Sequence, residues 1–132
     1  MIIQVTSQQL AEPPGGLFSN CLVVGDQVFL SGMTASGPDG KPVGGVDMTG
    51  QARACFAKIG TMLEAAGGSM ADIVKLTIYV TDISKRAAIS VARKECFSGV
   101  FPCSTLVEVR ALVSPELLIE IDAQAILGAG VR

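Results

Sequence analysis

Apolar residues recur along this chain with two different periods, and the change of period marks its elements. Short runs in which apolar residues fill nearly every position, or every second one, have the composition of strands. Met1-Ile2-Ile3-Gln4-Val5 reads as a first strand. Asn20 to Val24 and Gln27 to Ser31 are two more, and Gly25-Asp26 between them is a two-residue turn signal that predicts a hairpin. Met33 to Gly45 is rich in Gly, Pro, Ser and Asp, with Gly37-Pro38-Asp39-Gly40 as strong turn chemistry, so it predicts a loop. From Met48 to Ala66 the spacing becomes helical. Ala52, Cys55, Phe56, Ile59, Met62, Leu63 and Ala66 share one face, while Arg53, Lys58 and Glu64 lie off it. Asp47 suits the N-cap of this helix, and Gly67-Gly68 its stop.

Ile73 to Val80 is β-branched and apolar, the composition of a buried strand. Asp82-Ile83-Ser84 opens a second helix that ends near Phe97-Ser98-Gly99. Thr105 to Ala111 and Leu117 to Leu127 are the last strands, separated by Ser114-Pro115. The order β-β-β-α-β-α-β-β predicts an α+β fold: a single mixed sheet with two helices packed on one face. The strands are apolar almost throughout, so the opposite face also needs a cover. A second copy of the chain is the expected one.

Composition narrows the function classes. The 132 residues suit one domain spanning 1–132. Hydrophobic residues make up 49 % and charged residues only 17 %, and the mean hydropathy is +0.51, which points to self-association. The net charge of −2 and the absence of any basic stripe give no support for a nucleic-acid partner. No apolar run reads as a membrane span or a signal peptide. Cys21, Cys55, Cys96 and Cys103 form no CxxC pair, and so read as reduced thiols of a cytoplasmic protein. With no histidine in the chain and no thiol pair at ligand spacing, neither a metal nor another cofactor is expected.

The missing histidine also removes the usual general base near neutral pH, so a carboxylate, a thiol or bound water must carry any proton transfer. Glu120, in Leu118-Ile119-Glu120-Ile121-Asp122-Ala123, is the candidate carboxylate. The rival reading is an exposed acid on an alternating strand, paired with a lysine or arginine. Cys103 follows Pro102 and could be a nucleophile, but no histidine can activate it and an ordinary thiol is mostly protonated at neutral pH. Cys21, Cys55 and Cys96 sit among apolar residues and are expected to pack in the core.

Several motifs, in order, resemble those of the RidA (YjgF, UK114-like) family of enamine/imine deaminases. They are Gly16-Leu17-Phe18-Ser19, Val28-Phe29-Leu30-Ser31-Gly32, Gln51, Ala65-Ala66-Gly67, Asp72-Ile73-Val74-Lys75 and Val80-Thr81-Asp82-Ile83. Phe97, Pro102, Val107-Glu108-Val109 and Ile119-Glu120-Ile121-Asp122-Ala123 complete the series. No single motif is specific; their order and spacing over nearly the whole chain are. The resemblance implies a chorismate-mutase-like fold and a homotrimer whose sheets form a central barrel, with ligand clefts between subunits. It also implies hydrolysis of reactive enamines or imines to a keto acid and ammonia. A glutamate in the last strand handles water, an arginine after a proline grips the substrate carboxylate, a tyrosine lines the cleft, and backbone at a Ser-Gly turn completes it.

Carried over residue by residue, the match is partial. Glu120 fits the glutamate, and Ser31-Gly32 the Ser-Gly turn. Phe18 stands for the tyrosine, and Met33 for a glutamine that often follows Ser-Gly. Ser104, in Pro102-Cys103-Ser104-Thr105, stands for the arginine. Phe18, Ser31, Gly32, Met33, Cys103, Ser104 and Thr105 are therefore the expected substrate-binding residues. Losing a bidentate cation from a desolvated carboxylate site costs about 2–5 kcal/mol. General 2-aminoacrylate deamination should accordingly be weak, and a neutral or bulkier enamine, imine or related C–N compound is expected. The alternative is a non-catalytic trimer that binds a small metabolite. Two arginines could replace the missing cation. Arg110 lies six residues beyond Ser104, roughly 20 Å along a strand and out of reach. Arg93, on the second helix, could serve a neighbouring cleft only by symmetry, and a surface or interface salt bridge is its expected role.

Overall fold

The structure, a computed structural model, describes residues 1–130. Six strands, β1 (Ile2–Val5), β2 (Cys21–Val24), β3 (Gln27–Thr34), β4 (Ile73–Val80), β5 (Cys103–Glu108) and β6 (Ile119–Ile126), form one sheet. Two helices, α1 (Met48–Ala65) and α2 (Ala87–Cys96), interrupt them. The sheet order is β1-β2-β3-β6-β4-β5. Every neighbouring pair is antiparallel except β4 and β5. The parallel β4–β5 pair is the one that needs a crossover, and α2 supplies it. The mixed α+β sheet predicted from the residue pattern is the fold observed.

Local chemistry explains the element ends. Gly25 adopts φ 63° in the tight hairpin turn, where an L side chain is strained. Asp47 caps α1 by accepting from the Gly50 amide at 2.6 Å. At the other end the Gly68 amide bonds back to the Leu63 carbonyl, with Gly67 at φ 87°. Asp82 caps a short 3-10 turn, Ile83–Lys85, rather than α2 itself, so the second helix begins a turn later than the residue pattern suggests.

The α1 stripe packs against one face of the sheet. Ala52, Cys55, Phe56, Ile59, Met62 and Leu63 are buried there with Val28, Leu30, Leu76, Ile78, Ile119 and Ile121. Phe56 and Phe97 meet edge to face at 5.6 Å, which joins α1 to the end of α2. Burial pushes the Cys55 thiol up to about 12 and Cys21 to about 11, so both behave as inert core groups. Cys96 is only half-buried and Cys103 is exposed.

The other face is less apolar than expected. Glu120, Asp122, Gln124, Thr77, Tyr79 and Thr105 share it with Leu22, Phe29 and Val107, as strand pairing dictates. Alternation along β6 separates the two sides: Ile119, Ile121, Ala123 and Ala125 are buried under the helices, while the even positions face away. No helix among the described residues is long and apolar enough to cross a membrane.

A bulge in β3 sets the geometry of the site. Leu30 pairs with Ala123, but the next pair is Met33 with Ile121, so β3 spends one extra residue at Ser31-Gly32. Such an insertion turns the following residue to the opposite face. Met33 is consequently 4 % exposed, inside the core. Its side chain does not line a cleft as expected. Simple alternation would have put it on the open face with Phe29.

Candidate active site

Beyond the bulge, Thr34 pairs with Glu120, and Glu120 pairs with Tyr79 on its other side. The Glu120 side chain folds over the Gly32 backbone. A Cβ built on Gly32 would lie 2.8 Å from the Glu120 carboxyl carbon and nearer still to its oxygen. Gly32 is thus required by close approach. Its φ is not positive, so backbone strain is not the reason.

Ser31 pins a second segment beside the bulge. Its hydroxyl donates to the Ser19 carbonyl, and its amide donates to the Asn20 carbonyl at 2.9 Å. This holds the 17–20 loop, and with it Phe18, next to Gly32. The Phe18 ring is 58 % exposed. Glu120, Gly32, Ser31 and the Phe18 loop are therefore neighbours, as the sequence suggested.

Partial burial raises the Glu120 pKa, and the nearby Asp122 raises it further. Among the described residues no donor is hydrogen-bonded to the Glu120 carboxylate, so nothing offsets these effects. The Tyr79 hydroxyl donates to Asp122 at 3.2 Å. Desolvation, then Asp122, pushes the Tyr79 phenol up as well. Tyr79 forms one wall of the Glu120 site and was not among the sequence candidates. Its signal was slight: it is the only tyrosine in the chain, but its adjacency to Glu120 depends on a strand register that periodicity does not reveal.

The Glu120 shift has a consequence for stability. An acid whose pKa is raised by folding holds its proton longer in the native state than in the unfolded one. Stability from this group is then fully present at low pH. It falls as pH rises from the ordinary glutamate range through the raised native value. Glu120→Gln should abolish that fall and match or exceed the parent's melting temperature at pH 7. A Gln variant that melts lower at pH 7, in a thermal scan across pH 4–8, contradicts the uncompensated burial of the carboxylate.

The remaining candidates lie elsewhere. Cys103, Ser104 and Thr105 are on β5, with β4 between them and β6. Ser104 pairs with Leu76 and Glu120 with Tyr79, three residues further along β4. The separation is about 10 Å along the sheet and about 10 Å across it. Leu76 is buried under the helices, so Ser104 lies on the helical face, and Glu120 is on the other. Thr105 accepts from the Lys75 ammonium at 2.7 Å. Cys103 borders an apolar cavity of about 740 Å³ with Phe97 and Phe101. Within one protomer Glu120 and Ser104 cannot share a small ligand. Within one protomer Arg93 makes no salt bridge among the described residues, and its guanidinium donates to the Ser104 hydroxyl at 3.0 Å.

This two-helix, single-sheet fold recurs in known proteins. Residues 9–127 match the family described as Endoribonuclease L-PSP. A crystal structure of a Pseudomonas aeruginosa protein of unknown function superposes with a TM-score of 0.88 at 40 % identity, covering 98 % of this chain and 95 % of that one. A Mycobacterium tuberculosis member of the YjgF/UK114 family superposes with a TM-score of 0.82 at 32 % identity, covering 96 % and 100 %. A 2-iminobutanoate/2-iminopropanoate deaminase of Dermatophagoides farinae is 29 % identical over 83 % of this chain and 85 % of its own. The chain belongs to the RidA/YjgF/UK114 family.

Proposed function

We propose that this protein is a cofactor-free, cytoplasmic deaminase or hydrolase of a small enamine, imine or related C–N compound, working as a homotrimer with its clefts between protomers. The observation that carries the reading is Glu120: a half-buried, uncompensated carboxylate lying on a glycine bulge that no side chain can occupy. A carboxyl whose pKa is raised can deliver a proton to the enamine carbon and, once ionised, draw one from water. Water adds to the resulting C=N carbon, the C–N bond breaks, and the products are a carbonyl compound and ammonia. Backbone groups at Ser31-Gly32 sit where they can hold the polarised atom.

The two-face geometry supports clefts between protomers, because Ser104 lies on the opposite face from Glu120 within one protomer and a second copy would have to bring the Ser104 side of β5 to it. A light-scattering mass of three times the 13.6 kDa protomer is expected; a monomer in dilute solution removes the shared cleft. The match to an iminobutanoate/iminopropanoate deaminase makes 2-iminopropanoate the first substrate to try. Keto acid should form faster than in spontaneous hydrolysis, with a panel of neutral imines run alongside. A second reading, a trimer that binds a metabolite without chemistry, is favoured by Phe18 and Ser104 standing for the family's tyrosine and arginine. A ligand that raises the melting temperature but disappears only at the spontaneous rate would decide for it. The absence of histidine and of a basic surface argues against ribonuclease chemistry.

A further inference from the structure

The groove between α2 and β5 carries an unneutralised pair of cations. A cavity of about 390 Å³ is lined by Ser84, Arg86, Ala87, Ser90, Arg93 and Leu106. Arg86 and Arg93 are seven residues apart, two turns on one side of α2 and about 10 Å along its axis. Ser90 lies between them. The Arg86 guanidinium donates to the Ile83 carbonyl at 3.3 Å through one nitrogen, which leaves its other donors for a ligand in the groove.

No acid among the described residues forms an ion pair with either arginine. Asp82 accepts from the Ser84 amide and hydroxyl. Glu108 accepts from the Ile83 amide at 3.0 Å. The salt bridge found among the described residues is Arg53–Glu95, elsewhere on the surface. Arg93 is partly buried, and desolvation lowers its pKa with no countercharge to offset it. It remains a cation at physiological pH. A partly buried charge without a partner is costly unless something supplies the opposite charge.

Ser104 fixes the direction of Arg93. The hydrogen bond at 3.0 Å uses one of five guanidinium N–H donors, so the other four remain for a ligand. Ser104 is also the position at which the family resemblance places the carboxylate-gripping arginine. The strand has lost the cation, and the helix above it presents one to the same spot.

We propose that the α2–β5 groove is a binding site for the carboxylate of a small organic acid, with Arg93, oriented by Ser104, as its main anchor and Arg86 as its second. A planar guanidinium and a carboxylate match as a two-pronged pair, and the serine hydroxyls of the groove add donors. This reverses the expectation of a neutral ligand. The binding site stands on its own; its use as the substrate anchor of a shared cleft rests on the function proposed for Glu120.

The test is equilibrium binding, followed by calorimetry and by the Arg Nε–H signals in NMR, with pyruvate and its neutral amide as probes. Pyruvate should bind at least 10-fold more tightly than the amide and weaken as salt is raised. Arg93→Gln should weaken pyruvate at least 10-fold without changing the amide. Arg86→Gln and Ser104→Ala should each weaken it several-fold. Equal binding of acid and amide, or pyruvate binding unchanged in a folded Arg93→Gln protein, overturns the proposal. Arg53→Gln, which removes a positive charge elsewhere on the surface, should bind pyruvate as the parent does. If Glu120→Gln keeps full turnover while Arg93→Gln loses pyruvate, the chemistry assigned to Glu120 fails and the anion site stands. If pyruvate binding is indifferent to Arg93 while Glu120→Gln is inactive, the reverse holds.

Discussion

A Glu120→Gln protein is expected to fold normally and to lose turnover by about 10²–10⁴-fold, the usual worth of a positioned acid or base. Glutamine keeps the shape of the side chain and removes only the proton chemistry. Gly32→Ala should do comparable damage by a different route. Its new methyl group would occupy the space of the Glu120 carboxylate, whose carboxyl carbon lies 2.8 Å from that position. Neighbouring β6 backbone is held on both sides by β3 and β4, so the carboxylate must swing away. Keto-acid release, read beside far-UV circular dichroism, checks both. Full activity in either folded variant would dismiss Glu120 as the acid/base. A Gly32→Ala enzyme that fails only at high substrate dilution would instead indicate a binding role.

The largest stability effect is expected at Gln51. Its side chain is fully buried in the first turn of α1. The amide nitrogen donates to the Gly45 and Glu116 carbonyls at 3.1 and 2.9 Å, and the amide oxygen accepts from the Leu118 amide at 2.8 Å. One fully buried side chain thus satisfies three backbone groups from two loops. Gln51→Leu keeps the bulk but orphans all three, at a cost of about 3 kcal/mol or more. Against the 5–15 kcal/mol typical of a domain, that is a large share. Urea titration should show a lower midpoint with an unchanged slope. A loss below about 0.5 kcal/mol would mean that water or loop movement replaces the three bonds. Leu118 immediately precedes β6, so turnover should suffer too.

The elements that were legible in the sequence are those whose causes are local. Gly25-Asp26 set the hairpin, the Ala52-to-Leu63 stripe set α1, and Asp47 and Gly67-Gly68 set its ends, because turn chemistry and helical period act within a few residues. Glu120 and Ser31-Gly32 were candidates from their motif context, and the structure brings them side by side. Three things were not legible, each for a non-local reason. Met33 was assigned to the cleft because one extra residue in β3 cannot be seen without its partner strand. Tyr79 was missed because it gains meaning only from its register against Glu120. The approach of Arg93 to Ser104 was hidden because it depends on how the crossover helix lies over the edge of the sheet. The open face was expected to be apolar because composition averages over both sides of a strand.

Strand β6 has an evolutionary consequence. Its odd positions hold the fold together and its even positions bear Glu120, Asp122 and Gln124, so under the proposed function adjacent codons would answer to separate demands. Mutations at the even sites can explore new substrates with little penalty to folding, whereas those at the odd sites are purged whatever the substrate. A lineage could thus swap its chemistry by single-base steps in one short stretch of gene, leaving the scaffold untouched.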